Sequence, residues 1–230
     1  MTDTPRSVPA GNTGTARARL IQAGLDIFGN HGYTAATTRM IAEQGQTNLA
    51  AIPYHFGGKE GLYLAVIDHI VETVSSQLSP HLQAIQNRLE HGTIDRSQAS
   101  GMLERLLGVL IDFVVGSAEA PRFSRIILRE QMSPSNAFER IYTGIMEPLL
   151  SSVTALLSVI AGEEVSSRTL QLRAFSGVGQ IMAFRFGRET VSRYARLNGY
   201  SPEETLEIRC IILKQTLAAL EGLYPQVEKG

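Results

Sequence analysis

Apolar residues recur at helical spacing almost everywhere along this chain, and no alternating β-branched runs occur. Leu20, Ala23, Leu25, Ile27 and Phe28 predict a first helix, which Gly32 can end in the left-handed conformation. Thr37 or Thr38 can cap a short second helix through Ala42 and Gln44. Asn48 can cap a third, over Leu49 to Phe56, before Gly57 and Gly58 interrupt the chain. From Lys59 on the periodic segments lengthen, and the spacing predicts helices near 59–77, 80–90, 97–117, 121–131, 136–161, 166–187 and 202–222. Three short helices followed by long ones predict an all-α protein with a small head on a larger helical bundle. The expected organisation is a flexible tail at 1–14, a head at 15–60 and a body at 61–230.

Residues 38–56 have the layout of a helix-turn-helix. Ile41, Ala42 and Met40 can pack inward, Gly45-Gln46-Thr47 makes the turn, and Asn48 opens the second helix. Ala50 and Ala51 keep the entering face small, so the backbone can approach a major groove. Tyr54 and His55 add hydrogen-bonding groups near the far end, and Phe56 turns back to the core.

Residues 17–66 resemble the DNA-binding domain of the TetR family of bacterial regulators. The likeness lies in the joint order of Arg19 to Ala23, Phe28, Gly32-Tyr33, Thr37-Thr38, Ile41-Ala42, Tyr54-His55-Phe56, Lys59-Glu60, Leu62-Tyr63 and Ala65-Val66. The resemblance implies that Thr38 and Arg39 meet phosphate or a base edge. It puts Thr47, Asn48, Leu49, Ala50 and Ala51 at the groove, and Tyr54, His55 and Lys59 on phosphates. For His55 a plain surface position is the alternative. Lysine at a helix N-terminus, beside free amides, is also an anion site on physical grounds.

Two positions depart from the family pattern. Gln46 stands where the family mostly has glycine, and Pro53 where it often has a polar residue. Proline there is expected to remove a helical hydrogen bond and crowd the Leu49 carbonyl, so that the recognition helix is kinked or begins unusually. Further along, Arg129 to Phe138 followed by Glu147-Pro148-Leu149 resembles the CecR subgroup of the family.

In the body, Pro148 should release the Gly144 carbonyl and bend its helix. Phe113, Phe123, Met132, Phe138, Tyr142 and Met146 are candidate walls of a ligand pocket, or simply core. Leu170, Ala174, Gly177, Val178 and Ile181 form one candidate interface strip. Leu206, Ile208, Ile211, Ile212, Leu213, Leu217 and Leu220 form another, and both strips could equally close the chain's own bundle. The family resemblance favours a two-fold dimer. Arg122, Arg125 and Arg129 share a helical face, either as an anion receptor or as ion-pair partners of nearby glutamates. Arg185, Arg188, Arg193 and Arg196 read as an exposed rim.

Composition narrows the class. With 43% hydrophobic and 19% charged residues the chain is ordinary globular protein. The formal net charge of −1 permits a local DNA-binding surface without demonstrating one. Cys210 is the single cysteine, so no internal disulfide forms and no cysteine-rich zinc site exists. The start lacks the basic-then-apolar order of a secretory signal. The uncharged stretch from Pro148 to Gly162 is shorter than the ~20 apolar residues of a membrane span. A cytoplasmic protein without metal or cofactor is expected.

Together these features predict a homodimeric regulator that binds a palindromic double-stranded operator. An unidentified small-molecule effector is expected to relieve repression by favouring a body conformation with the wrong head spacing. A helical ligand-binding module or enzyme without DNA binding is the rival. No nucleophile elbow, phosphate-binding glycine loop or metal cluster supports the enzyme.

Overall fold

The computed structural model describes residues 15–92, 94–162 and 165–221, with side chains to residue 219. The expected tail at 1–14 lies outside them. The described residues contain helices and no strand. They divide into two compact units after Val66.

In the first unit, α1 (Ala16–Ala35) is capped by the Thr15 hydroxyl, which accepts from the Ala18 amide at 3.3 Å. Gly32 has φ 77° and ψ 168°, so it bends the chain with an extended ψ instead of closing a left-handed cap, and helical turns resume to Ala35. Thr37, not Thr38, caps α2 (Thr38–Gln44), its hydroxyl accepting from the Met40 amide at 3.2 Å. After α3 (Ala51–Phe56), Gly57 takes the left-handed conformation at φ 74° and α4 (Lys59–His91) begins. Leu20, Leu25, Phe28, Ile41, Ile52, Leu62 and Val66 are buried together as the core of the head. Phe28 meets the edge of Tyr63 with ring centres 4.9 Å apart. A Cβ on Gly24 would sit 2.8 Å from Val66 Cγ2, so α1 approaches α4 as closely as glycine allows. The first turns of α4 therefore belong to the head, and the boundary falls after Val66 where the sequence predicted 60.

Pro80 does not interrupt α4, although two helices, 59–77 and 80–90, were expected. Serines and a threonine beside it turn hydroxyls back onto carbonyls: Ser79 onto Ser75 at 2.6 Å, Ser76 onto Thr73 at 2.8 Å, Thr73 onto His69 at 2.8 Å.

The second unit continues with α5 (Arg96–Ile111), capped by a reciprocal box between Asp95 and Gln98, and runs into a π-helical segment, Asp112–Gly116. Then follow α6 (Ala120–Met132), α7 (Phe138–Ile141), a second π segment (Tyr142–Met146) and α8 (Glu147–Ala161). The unit closes with α9 (Ser167–Phe186), α10 (Arg188–Ala195), which the spacing did not predict, and α11 (Pro202–Glu221). Helix α8 packs on α5 and α9, and α11 packs on α5.

Pro148 acts as expected on Gly144. The Gly144 carbonyl, left without the amide four residues on, accepts from Ser75 Oγ at 2.8 Å, within the π segment. A Cβ on Gly144 would meet Val71 Cγ1 at 2.4 Å, so glycine is required for α4 to come this close. Taken through Pro148, residues Phe138–Ala161 are long and apolar enough for a membrane span by length and composition, contrary to the expectation counted from Pro148 alone. Leu149, Val153, Leu156, Leu157 and Ile160 of this stretch are buried in the body's core.

Candidate functional site

The helix-turn-helix is built by short-range chemistry. After α2, Gly45 is buried, and a Cβ there would lie 3.2 Å from the Ile41 carbonyl oxygen. Gln46 takes φ 48°, the left-handed region that favours glycine, and this explains why its slot is a glycine position. The Thr47 amide then reaches the Ala42 carbonyl at 3.0 Å.

Asn48 Oδ1 accepts from the Ala50 amide at 2.9 Å, closing a turn of its own, and the regular helix starts at Ala51. Pro53 is thus in the first turn of α3, where amides have no helical acceptor in any case. Of the two expected outcomes, an unusual beginning is the one seen: the Leu49 carbonyl accepts from Ile52 at 3.2 Å, and Tyr54 donates to Ala50 at 3.3 Å. Starting α3 later is what accommodates the proline.

The sequence-selected residues fall into two groups. Asn48, Leu49 (48% exposed), Ala50, Tyr54 (83% exposed) and His55 share the outer surface of the motif, while Ile52 faces the core. Ala51 and Thr38 are half-buried, and the Thr47 hydroxyl is buried without a hydrogen-bond partner. Arg39 is exposed and paired with Glu43 at 2.8 Å, and this carboxylate raises the arginine pKa further. Lys59 is half-buried, donates to the Thr34 carbonyl at 3.3 Å and lies 4.6 Å over the Tyr33 ring. It ties the start of α4 to the end of α1. Arg17 lies 5.5 Å over the Phe56 ring.

The body holds a cavity of about 300 Å³. Phe113, Phe123 and Met146 line it, as the sequence allowed, together with Leu149, Phe175 and Met182. Both π segments contribute walls, Phe113 and Val114 from one, Ile145 and Met146 from the other. Met132, Phe138 and Tyr142 do not line it. Met132 ends α6 at 77% exposure, and Phe138 and Tyr142 stack on each other with ring centres 6.2 Å apart. A further wall residue was read as exposed rim: Arg185 is buried, because α9 turns it towards α5's π segment, where it donates to the Val114 carbonyl at 3.5 Å. Burial lowers its pKa, and the neighbouring Arg188 and Arg125 lower it further. Of the other rim arginines, Arg188 donates to the Gly199 carbonyl and lies 5.2 Å over the Tyr200 ring. Arg193 pairs with Glu189 at 2.7 Å.

Most of the candidate interface residues take the second of the two places the sequence allowed, closing the chain's own bundle. Leu170, Ala174, Ile181, Ile208, Ile212 and Leu213 are buried within the chain's own bundle. Gly177, Val178 and Leu217 are half-buried, and the Leu220 side chain lies outside the described residues. The exposed apolar surface of these helices is Leu172, Phe175 and Phe186 on α9, which the sequence did not select, with Leu206 and Ile211 on α11, which it did. Among the described residues no group of three His, Cys, Asp or Glu side chains is placed to hold a metal ion.

Comparison with known proteins bears on both units. Residues 20–66 match the family described as bacterial regulatory proteins, tetR family. Residues 99–223 match the C-terminal domain of the HTH-type transcriptional dual regulator CecR. CecR of Shigella flexneri is 31% identical over 208 residues, covering 90% of this chain and 92% of that protein. The HTH-type transcriptional repressor AcnR of Corynebacterium glutamicum is 26% identical over 179 residues, 72% of this chain and 95% of its own. The structure of AibR in complex with isovaleryl coenzyme A and operator DNA has the same fold, with a TM-score of 0.62 at 13% identity, covering 87% of this chain and 97% of that one. These relatives are regulators of transcription and not enzymes.

Proposed function

The chain belongs to the TetR family of bacterial transcriptional regulators, with a CecR-type C-terminal domain, and we propose that it is a homodimeric repressor released from its operator by a small-molecule effector. The observation that carries the DNA reading is the outer surface of the helix-turn-helix. Its entering residues Leu49 and Ala50 are small or apolar and exposed, with the polar tips of Asn48, Tyr54 and His55 around them. Arg39 and Thr38 supply phosphate contacts from the start of α2, Arg39 by exchanging Glu43 for phosphate. Tyr54 and His55 bind phosphate from α3, and Ala51 packs under the groove-facing backbone. Thr47 and Lys59 act from within the head: Thr47 braces the turn, and Lys59 lends its charge near the backbone while holding α4 in place. Such a protein works where the chromosome is, in the cytoplasm.

The dimer forms through α9 and α11, on the exposed strip of Leu172, Phe175 and Phe186 with Leu206 and Ile211. Leu172, Phe175 and Phe186 recur at i, i+3 and i+14, which places them on one side of α9. Two-fold symmetry then presents two heads to half-sites about one helical turn, or a multiple of it, apart. AibR, of the same fold, binds both an acyl coenzyme A and operator DNA, and AcnR is a repressor. The cavity in the body is the place for the effector here.

The test is an anisotropy titration of the DNA upstream of the protein's own gene at two salt concentrations. Wild type should bind selectively and lose affinity with salt. Arg39→Ala should flatten the log–log salt slope by about 1, the signature of one lost phosphate contact. If neither this DNA nor a genome-wide selection gives selective binding, the DNA reading fails. Phe175→Asp should give monomers in sedimentation velocity, and a wild type that sediments as a monomer at micromolar concentration would overturn the dimer.

A further inference from the structure

The cavity in the body is apolar on nearly every side, and its polar wall residues are Ser124, Gln131 and Arg185. Two of them are occupied. Ser124 donates to the Pro121 carbonyl at 3.3 Å, and Gln131 Nε2 approaches Met146 Sδ at 3.2 Å. Arg185 is different. It is 6% exposed, and its contact with the Val114 carbonyl oxygen, at 3.5 Å, is at the limit of a hydrogen bond. One such contact leaves most of a guanidinium's five donors unused.

Arg188 and Arg125 are the charged groups that act on Arg185 besides Tyr200, and both repel it. Tyr200 is itself buried, with its pKa raised by that burial, and its hydroxyl donates to the Phe184 carbonyl at 2.7 Å, so it stays neutral. A buried cation flanked by cations is unfavourable unless something negative completes the site.

We propose that this cavity receives a small amphiphilic carboxylate, its head on the Arg185 guanidinium and its aliphatic or aromatic body among Phe113, Phe123 and Leu149. A single guanidinium matches one monoanion, and its planar fork fits a carboxylate through two parallel hydrogen bonds. The volume sets the size. At ~30 Å³ for a water, 300 Å³ holds about ten heavy atoms, the size of an eight-carbon acid. Both π segments line this space, and such irregular turns are frequent at functional sites. The inference rests on the effector-controlled reading given above.

Calorimetric titration of the full chain with sodium octanoate, 1-octanol and sodium acetate tests it. Octanoate should bind one per chain, octanol at least tenfold more weakly, and acetate not measurably. Arg185→Met should weaken octanoate at least tenfold while changing octanol less than twofold, and Arg185→Lys should recover part of the loss. If Arg185→Met fails to fold, the Lys variant and the wild-type comparison of octanoate with octanol decide. No octanoate binding, equal affinity for octanol, or unchanged octanoate affinity in Arg185→Met would each overturn the proposal. DNA titration of the same proteins separates the two readings. Octanoate binding through Arg185 without operator binding removes the regulator and leaves the site. Operator binding without octanoate binding does the reverse.

Discussion

The bond from Ser75 Oγ to the Gly144 carbonyl gives a sharp energetic prediction. Pro148 has no amide to offer that carbonyl, and the 2.8 Å bond from α4 replaces it. Ser75→Ala leaves a half-buried carbonyl unsatisfied, and that should cost about 1–2 kcal/mol. In a chain of this size each kcal/mol moves the melting temperature by about 2–4 °C. The cost should depend on the proline. Pro148→Ala returns an amide at the right place, so in that background Ser75→Ala should cost only a few tenths of a kcal/mol. The four proteins form a double-mutant cycle, with an expected coupling of about 1 kcal/mol, readable by urea unfolding followed by circular dichroism. Equal cost of Ser75→Ala in both backgrounds would refute the account, because the serine would then be stabilising something other than the carbonyl that proline frees.

Gly144→Ala should destabilise the body by about 1–3 kcal/mol, since its Cβ would lie 2.4 Å from Val71 Cγ1; adding Val71→Ala should recover part of this in the same unfolding assay. Gln46→Gly should stabilise the head by about 0.5 kcal/mol, relief of the left-handed strain at φ 48° slightly exceeding the entropy cost of glycine, with operator affinity unchanged. Glu204 accepts from the backbone amides of Ser201 and Asn198, and these bonds lower its pKa. Its stabilising effect should be fully present above the unfolded value of about 4.3 and be lost as pH falls through the lower folded value. The difference in melting temperature between wild type and Glu204→Gln should therefore vanish on acidification through that window, and a gap that persists below it would refute the assignment.

Much of the head was legible because its determinants are local. The Thr37 cap, the turn at Gly45-Gln46 and the break at Gly57 each act within a few residues, and their order along the chain carries the family likeness. Pro53 left a kink and a displaced helix start both open, because proline's effect depends on its place in a helix, and the start of α3 is set by the Asn48 turn and the burial of Ile52. Pro80 misled for a related reason. A helix anchored on both sides by buried Val74, Leu78 and Ile85 continues through one missing amide.

Helical periodicity along the body determined that it would be a bundle, including the release of Gly144 by Pro148. It left open which face of α9 points inward, because α9 carries apolar side chains all round. Leu170, Ala174 and Ile181 go in while Leu172, Phe175 and Phe186 stay out. Only the packing of α5, α6 and α8 against α9 chose between those faces, and the same rotation put Arg185 in the cavity wall. Burial of a charge is a property of what surrounds it, and part of those surroundings comes from a residue more than seventy positions away, Val114.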